Sequence, residues 1–347
     1  MPIITKAIPL IYMTVSIIIP TYNRANTLRI TLSSIYNQTN LEGVEVIVID
    51  NGSTDKTAII CKQFQQNGTQ LLYYYDDEPG LLTGRHLGAS KASGEILCFL
   101  DDDVELTSGW LNGVKGAFTD ESVALATGPC LPNYESNPPY WLNFFWQKVY
   151  DGKACVWLSL LDLGNNLIEI HPGFVWGLNF CIRKTAFCNL GGFHPDNIPN
   201  HLQMFQGDGE TGLTLKAYQM NYKAIYHPQI MLRHIVPSKR LTVEYFKKRA
   251  FYQGVCNSFT HLKERYQNNR KQLTITTHSS ILRRVLQEVK NKLRSMFFTP
   301  QEIILLKKEL RQKELEGYHF HQQAFKSNEK VKKWVLQKDY WNYKLPI

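Results

Sequence analysis

Features that would direct a chain into or across a membrane are scarce in this sequence. No apolar run reaches the roughly 20 residues that span a bilayer, and the longest runs, such as residues 15–20 and 44–49, have the length of strands. The first 13 residues contain no long apolar segment with a small-residue cleavage site, so we expect no signal peptide. The seven cysteines lie singly, without C-x-x-C spacing, which is typical of reduced thiols in a cytosolic protein.

Acidic and basic side chains are unevenly distributed along the 347 residues. Residues 1–230 carry a net charge of −7 and residues 231–347 carry +16, which gives +9 for the whole chain. A basic region can face nucleic acid, anionic lipid or phosphate-bearing ligands, or it can simply be the solvated surface of helices. The charge pattern leaves these alternatives open but indicates different roles for the two parts.

Short apolar runs of strand length alternate with amphipathic stretches in the first hundred residues. This order predicts an α/β fold with a mostly parallel sheet and helices on both faces. The predicted strands are residues 15–20, 44–50, 71–75 and 95–100.

The remainder of the chain is less regular until about residue 241. Long loops at residues 133–146 and 195–206 suit an acceptor site. Helical patterns then dominate, and helices are predicted at residues 243–259, 281–298 and 300–313.

Polar residues follow all four predicted strands at their carboxyl ends. In parallel sheets, ligands bind beyond these ends, so the residues there are candidates for a binding site. They are Thr21, Asp50, Asp76 with Asp77, and Asp101 to Asp103.

The Asp-Asp-Asp sequence is the first group with an evident chemistry. Asp101 and Asp103 follow a buried strand, and closely packed carboxylates are unfavourable without a cation. Mg²⁺ and Mn²⁺ bind carboxylate oxygens and usually hold substrate phosphates as well. The alternative is a solvated acidic turn.

Two further segments carry candidate functional groups. Asp208 and Glu210 lie among three glycines before a helical pattern, where a carboxylate can act as a general base or merely complement the helix dipole. His234 can complete a metal site, and Lys239 and Arg240 can neutralise a diphosphate. A lone histidine more often has a structural role.

Together these segments resemble the inverting glycosyltransferases of family 2, which have the GT-A fold, over about residues 14–255. The resemblance rests on short motifs in the order that the family shows. They are VSIIIPTYNR (15–24), VIVIDNGSTD (46–55), residues 80–88, ASGEILCFLDDD (92–103), GGF (191–193), residues 207–213 and His234.

The resemblance implies a GT-A domain at residues 1–240, with a nucleotide-binding half at about 14–105 and an acceptor-binding half at about 106–240. A helical, basic region at 241–347 would follow. A divalent metal, Mn²⁺ or Mg²⁺, would be held by Asp103, Asp101 and His234. The implied contacts to the nucleotide sugar are Pro20, Thr21, Tyr22, Arg24, Asp50, Asn51, Asp77, Arg85, Asp101, Asp102, Lys239 and Arg240.

The sequence departs from the family pattern at two places. The usual Glu-Asp pair at the catalytic base is Gly209-Glu210 here, so we expect Glu210 to be the base, with Asp208 as the second candidate. The usual Arg-Asn pair is Arg85-His86. Trp176 and Gly177 are expected near the acceptor, although aromatic core packing explains a single tryptophan equally well.

The resemblance implies an enzyme that moves a sugar from a nucleotide-diphosphate donor, by default UDP-linked, to a saccharide or lipid-linked hydroxyl. Such an enzyme would serve polysaccharide, glycolipid or glycoconjugate synthesis. We expect a cytoplasmic protein, with peripheral contact to the inner face of a membrane through the basic region and no nucleic acid partner. The alternatives are a nucleotidyltransferase of sugar activation, which would need a Gly-rich N-terminal signature, a non-catalytic binding protein for anionic membranes or nucleic acid, and an inactive homologue.

Overall fold

The computed structural model describes residues 13–78, 80–267, 300–341 and 344–345. The predicted alternation of strands and helices is present in the first hundred residues, and each strand is almost wholly buried except the third. The elements are β1 (Val15–Thr21), α1 (Ala25–Tyr36), β2 (Val44–Asp50), α2 (Thr57–Gln66), β3 (Leu71–Tyr75), α3 (Leu81–Lys91) and β4 (Ile96–Leu100).

The second half of the domain is built from shorter strands and longer loops, as the loss of periodicity predicts. Short 3₁₀ helices span Tyr140–Phe145, Val156–Leu158, Pro172–Phe174, Asn200–Phe205 and Ser238–Arg240. The other elements are β5 (Val104–Leu106), α4 (Trp110–Ala117), β6 (Val123–Thr127), β7 (Cys130–Tyr134), β8 (Gln147–Val149), β9 (Gly152–Cys155), β10 (Leu160–Asp162), β11 (Ile168–Ile170), β12 (Asn179–Arg183), α5 (Lys184–Leu190), α6 (Glu210–Gln219), β13 (Lys223–Tyr226) and β14 (Leu232–Val236).

Two sheets organise the described residues. The larger sheet has the order β11-β13-β6-β12-β4-β1-β2-β3, and the smaller has the order β5-β14-β7-β10-β9-β8. In the larger sheet, β1 pairs in parallel with both β2 and β4, so the chain reverses its winding direction at β1. A crevice for ligands therefore opens at the carboxyl ends of these strands.

The C-terminal region is helical, as predicted, and consists of α7 (Val243–Gln267), α8 (Gln301–Ser327) and α9 (Glu329–Val335). The helix predicted at residues 281–298 lies outside the described residues. α8 continues beyond the predicted end at residue 313 and includes Gly317. A Cβ at Gly317 would overlap the backbone of Phe251, and a Cβ at Gly254 would overlap that of Glu314, so α7 and α8 meet backbone to backbone.

The last described residues are packed into the core of the larger sheet. The Trp334 indole nitrogen donates to the Phe205 carbonyl over 2.7 Å, and the buried Lys263 amine donates to the Gln337 carbonyl over 2.7 Å. No helix among the described residues is long and apolar enough to cross a membrane. All seven cysteines are free thiols.

Candidate active site

The acidic segment after β4 lies beside the loop that follows β1. Thr21 Oγ1 donates to Asp102 Oδ2 over 2.7 Å, and Arg24 Nη1 lies 2.9 Å from Asp102 Oδ1 and 2.7 Å from Asp103 Oδ2. Burial and the neighbouring Asp103 charge outweigh the attraction of Arg24 and raise the pKa of Asp102 to about 7. The structure thus brings together four residues that the sequence assigned to donor binding or metal binding.

Strand pairing places His234 next to Asp103. β14 runs antiparallel to β5, with His234 opposite Val104, and His234 Nε2 lies 3.7 Å from Asp103 Oδ1. The Nδ1 of His234 lies 2.9 Å from the Leu158 carbonyl and donates to it, because a carbonyl can only accept. Nε2 therefore carries the lone pair of the ring, and Arg240 Nη1 donates to it over 2.8 Å.

Asp103 is a buried carboxylate beside two guanidinium groups and an imidazole. Burial alone would raise its pKa, but the adjoining His234, Arg240 and Arg24 side chains hold the pKa below its ordinary value. Its Oδ1 atom is buried and has no hydrogen-bond partner among the described residues. This free oxygen is suited to a divalent cation, and Nε2 of His234 would be a second donor atom once Arg240 gave up its hydrogen bond to it.

The remaining predicted metal ligand, Asp101, faces a different partner. Its Oδ1 lies 3.2 Å from Arg85 Nη2. Across the described residues, no three His, Cys, Asp or Glu side chains converge on one point in a way that would hold a metal ion. A cation at Asp103 and His234 would therefore take its other ligands from substrate phosphates and water, as Mg²⁺ and Mn²⁺ commonly do.

The predicted nucleotide-binding residues at the end of β2 form hydrogen bonds within the chain. Asp50 is buried and accepts from the Tyr73 hydroxyl over 2.7 Å and from the Ser53 backbone over 2.8 Å. Asn51 donates to Thr83 Oγ1 over 3.2 Å. The other predicted contacts on this side are buried Pro20 and the exposed Tyr22 and Asp77.

A cavity of about 480 Å³ lies beside the acidic segment and is lined by Arg24, Asp103 and Lys239. Arg240 makes a further ion pair there, with its Nη2 3.1 Å from Asp103 Oδ2. The basic residues predicted to neutralise a diphosphate therefore lie close to the carboxylate predicted to hold the metal.

Glu210 is the first residue of α6 and faces Arg85. Arg85 is buried, its Nη1 lies 3.8 Å from Glu210 Oε2, and its guanidinium lies over the Phe193 ring. The Gly177 backbone donates to Glu210 Oε1 over 3.3 Å. Burial raises the pKa of Glu210 and outweighs the opposing effect of Arg85. Arg85 thus connects Glu210 to Asp101, and a Cβ at Gly177 would overlap this guanidinium.

Asp208, the second candidate for the base, is held inside the protein. His194 Nδ1 lies 2.6 Å from its Oδ1, and Thr260 of α7 donates to its Oδ2 over 2.6 Å. Burial would raise its pKa, but His194 and Thr260 lower it below the ordinary value. Both carboxylate oxygens of Asp208 therefore have partners within the chain.

His86, which stands where the family usually has asparagine, has a contact that the sequence did not indicate. Its Nδ1 lies 3.0 Å from the Tyr340 carbonyl, its Nε2 accepts from the Phe193 backbone over 3.0 Å, and its ring stacks on Trp341. Burial lowers the pKa of His86 to about 4. His86 therefore anchors the C-terminal segment, directly beside Arg85 in the sequence.

Sequence reasoning also missed part of the cavity that contains Glu210. This cavity of about 160 Å³ is lined by Arg85, Asp101 and Glu210, and by Arg249, Tyr252 and Gln253 of α7. Their i, i+3, i+4 spacing was visible in the sequence, but it does not reveal which face of the helix meets a cavity.

Trp176, which was expected near the acceptor, is partly buried, and its indole nitrogen donates to the Gly173 carbonyl over 2.9 Å.

A family model described as glycosyl transferase family 2 matches residues 16–190. The chain is 33% identical over 214 residues, 56% of its length, to a validoxylamine A glucosyltransferase of Streptomyces hygroscopicus subsp. jinggangensis. It is 35% identical over 124 residues, 35% of its length, to the GalNAc(5)-diNAcBac-PP-undecaprenol beta-1,3-glucosyltransferase of Campylobacter jejuni. The chain spans 50% and 40% of the lengths of these two relatives.

One solved structure extends the likeness to the whole fold. It is the mannosyltransferase PcManGT of Pyrobaculum calidifontis in complex with GDP-Man and Mn²⁺, with 19% identity and a TM-score of 0.51. The match covers 92% of this chain and 76% of that one. The predicted GT-A fold is therefore confirmed.

Proposed function

Because the chain belongs to glycosyl transferase family 2, we propose that it moves a sugar from a nucleotide-diphosphate donor to an acceptor hydroxyl with inversion at the anomeric carbon. The observation that carries this proposal is the connection from Asp101 through Arg85 to Glu210. This connection joins the acidic segment at the end of β4 to a carboxylate of raised pKa in one cavity.

In this mechanism, Glu210 accepts the proton of the acceptor hydroxyl as its oxygen attacks the anomeric carbon. The new bond forms on the face opposite the leaving group, and the bond from the anomeric carbon to the diphosphate oxygen breaks. The nucleoside diphosphate departs with the bonding electron pair. Arg85 holds the Glu210 carboxylate in place, and the Gly177 backbone N–H fixes one of its oxygens.

Asp103 and His234 would hold the divalent metal. When bound, the ion would neutralise the charge that develops on the departing diphosphate. Arg240 now donates to both side chains, so its guanidinium would give up at least one of these contacts and become available to a phosphate oxygen. The Mn²⁺ in the complex of the Pyrobaculum calidifontis enzyme supports the use of a divalent metal.

We propose UDP as the nucleotide, since Asp50 lies at the end of β2, where the family contacts a uracil imide. The GDP-Man bound to the Pyrobaculum calidifontis enzyme makes GDP the natural competitor. The acceptor class is a saccharide or a lipid-linked saccharide, in keeping with the undecaprenol-linked substrate named for the Campylobacter jejuni relative.

Calorimetric titration with UDP and with GDP, each with and without Mn²⁺, tests the donor site. We expect UDP to bind with Mn²⁺ and to bind at least about tenfold more weakly without it, because the ion that Asp103 and His234 would hold neutralises the charge of the diphosphate. Preference for GDP would change the donor class and keep the transferase. Absence of binding for both nucleotides, with and without metal, would refute the proposal.

The basic C-terminal region supports a second proposal, peripheral contact with an anionic membrane. The first turns of α8 expose Ile304 and Leu305 beside the exposed Lys307 and Lys308, and basic side chains next to apolar ones suit an anionic lipid surface. We expect co-sedimentation with phosphatidylglycerol vesicles but not with phosphatidylcholine vesicles. A Lys307→Glu, Lys308→Glu variant that sediments as the unaltered chain does would refute this contact.

A further inference from the structure

One face of helix α7 forms part of the wall of the cavity that contains Glu210. Arg249, Tyr252, Gln253 and Cys256 all line this cavity. They lie three, four and seven residues apart along α7, which puts them on the same side of the helix. A ligand that reaches Glu210 through this cavity would therefore meet side chains of the C-terminal region.

The charged groups of this cavity are paired, with one exception. Each of its four carboxylates has a donor side chain within 4 Å: Asp101 and Glu210 have Arg85, Asp196 has Gln206, and Asp208 has His194. Arg249, in contrast, makes no hydrogen bond or ion pair with any residue that the structure describes, although its side chain is partly buried.

A partly buried guanidinium without a counterion has lost hydration and gained no partner. Its planar fork of N–H donors matches the oxygens of a carboxylate or a phosphate. The neighbouring Tyr252 hydroxyl is hydrogen-bonded to Asn200 over 2.7 Å, which holds this ring in place on the cavity wall. The exposed Gln253 amide adds a neutral donor and acceptor on the same face.

We propose that Arg249 is the centre of an anion-binding subsite for the acceptor, and that the acceptor carries a phosphate or carboxylate group. This inference rests on the proposed function, since it takes the cavity at Glu210 to be where the acceptor hydroxyl binds. Arg249 holds the anionic group, and the hydroxyl of the same molecule reaches Glu210. Helix α7 thereby selects the acceptor class, while the strand ends bind the donor.

Binding of small sugars tests the subsite directly. The probes are α-D-glucose 1-phosphate, glucuronic acid and glucose, each titrated by saturation-transfer NMR into the full chain with saturating UDP and Mn²⁺. We expect at least one anionic probe to bind about tenfold more tightly than glucose, and this advantage to disappear in Arg249→Ala, because one charge-assisted contact is lost. Arg249→Lys should keep part of the advantage.

Arg265→Ala is the matched control. Arg265 is an exposed arginine in the last turn of the same helix and does not line the cavity, so this variant should bind the probes as the unaltered chain does. Circular dichroism verifies that Arg249→Ala is folded. Whether the phosphate or the carboxylate probe binds more tightly identifies which anionic group the subsite prefers.

Different results would overturn the subsite and the proposed function. Equal binding of glucose and both anionic probes, or an unchanged advantage in folded Arg249→Ala, would overturn the subsite while leaving the donor site intact. Failure to bind UDP, with Arg249-dependent binding of an anionic probe retained, would overturn the proposed function alone. A similar loss in Arg265→Ala would show a general effect of charge and would also overturn the subsite.

Discussion

Substitution of Glu210 by glutamine separates a catalytic carboxylate from a structural one. Glutamine keeps the shape of the side chain and an oxygen that can accept from the Gly177 backbone, and Arg85 keeps its ion pair with Asp101. The ability to take a proton is lost, together with the ion pair to Arg85, so kcat should fall by about 10²–10⁴, equivalent to roughly 3–5 kcal/mol in the barrier. The rate of sugar transfer is measured from the release of nucleoside diphosphate. The melting temperature is measured on the same sample.

Asp208→Asn provides the matched control, because it makes the same chemical change two residues away. Asp208 is bonded to His194 and Thr260 inside the protein, and loss of two charge-assisted hydrogen bonds should cost about 1–3 kcal/mol of stability. Its Tm should fall by several degrees, whereas that of Glu210→Gln should change little. If Asp208→Asn abolished transfer without lowering the Tm, and Glu210→Gln kept full activity, the assignment of the base would be wrong.

The pH dependence of sugar transfer by the unaltered chain and by Glu210→Gln tests the same assignment independently. Burial raises the pKa of Glu210 above the ordinary 4.5 of a glutamate, and a general base works only when deprotonated. The kcat/KM of the unaltered chain should therefore rise with pH, with its acidic limb above pH 4.5, and this limb should be absent in Glu210→Gln. An identical limb in both proteins would assign it to another group.

Three further changes test the metal site, the helix packing and a buried histidine. Asp103→Asn should weaken Mn²⁺ binding to the UDP complex about tenfold or more in calorimetry, because a carboxylate ligand is lost; unchanged Mn²⁺ affinity would place the metal elsewhere. Gly254→Ala should lower the unfolding free energy by about 1–3 kcal/mol, since its Cβ would overlap the Glu314 backbone, whereas Gly116→Ala on α4 has room and should be neutral or stabilising. Burial lowers the pKa of His321 to about 4 in the folded chain. On acidification, His321 therefore binds a proton in the unfolded chain at a higher pH than in the folded chain. The contribution of this residue to the free energy of unfolding should then fall by about 1.4 kcal/mol per pH unit as the pH is lowered from 6.5 to 4. In denaturant titrations of His321→Gln, the free energy of unfolding should depend less steeply on pH, by the contribution of one bound proton.

The parts of the fold that are encoded locally could be predicted from the sequence. The bounds of β2 and β3 agree with the predicted spans, and those of β1 and β4 differ by one residue, because a short apolar run ending at a polar cluster is a local signal. The position of Glu210 at the start of α6 follows from the glycines before it, and Gly209 does have a positive φ of 56°, a conformation that glycine adopts easily.

Apart from the approach of His234 to Asp103, which the family resemblance implied, the contacts made across long stretches of chain could not be predicted. Asp101 and Asp103 are two residues apart, yet Asp101 faces Arg85 and Asp103 faces His234, and nothing in their spacing distinguishes them. The burial of Asp208 depends on Thr260, a residue of α7 that lies 52 positions further on. Such partners are determined by how helices and strands pack, and a single sequence carries no local signal for that packing.

The contact between His86 and Tyr340 joins residues 254 positions apart in the chain. Because such a loop must close before the contact forms, it slows folding and cannot form until residue 340 has been synthesised and released from the ribosome. Residues 1–340 must therefore be synthesised before the wall next to Arg85 is in place. On a translating ribosome, the strands of the first hundred residues can form early, whereas the contact of His86 with Tyr340 is made late, and proteolytic removal of residue 340 would abolish it.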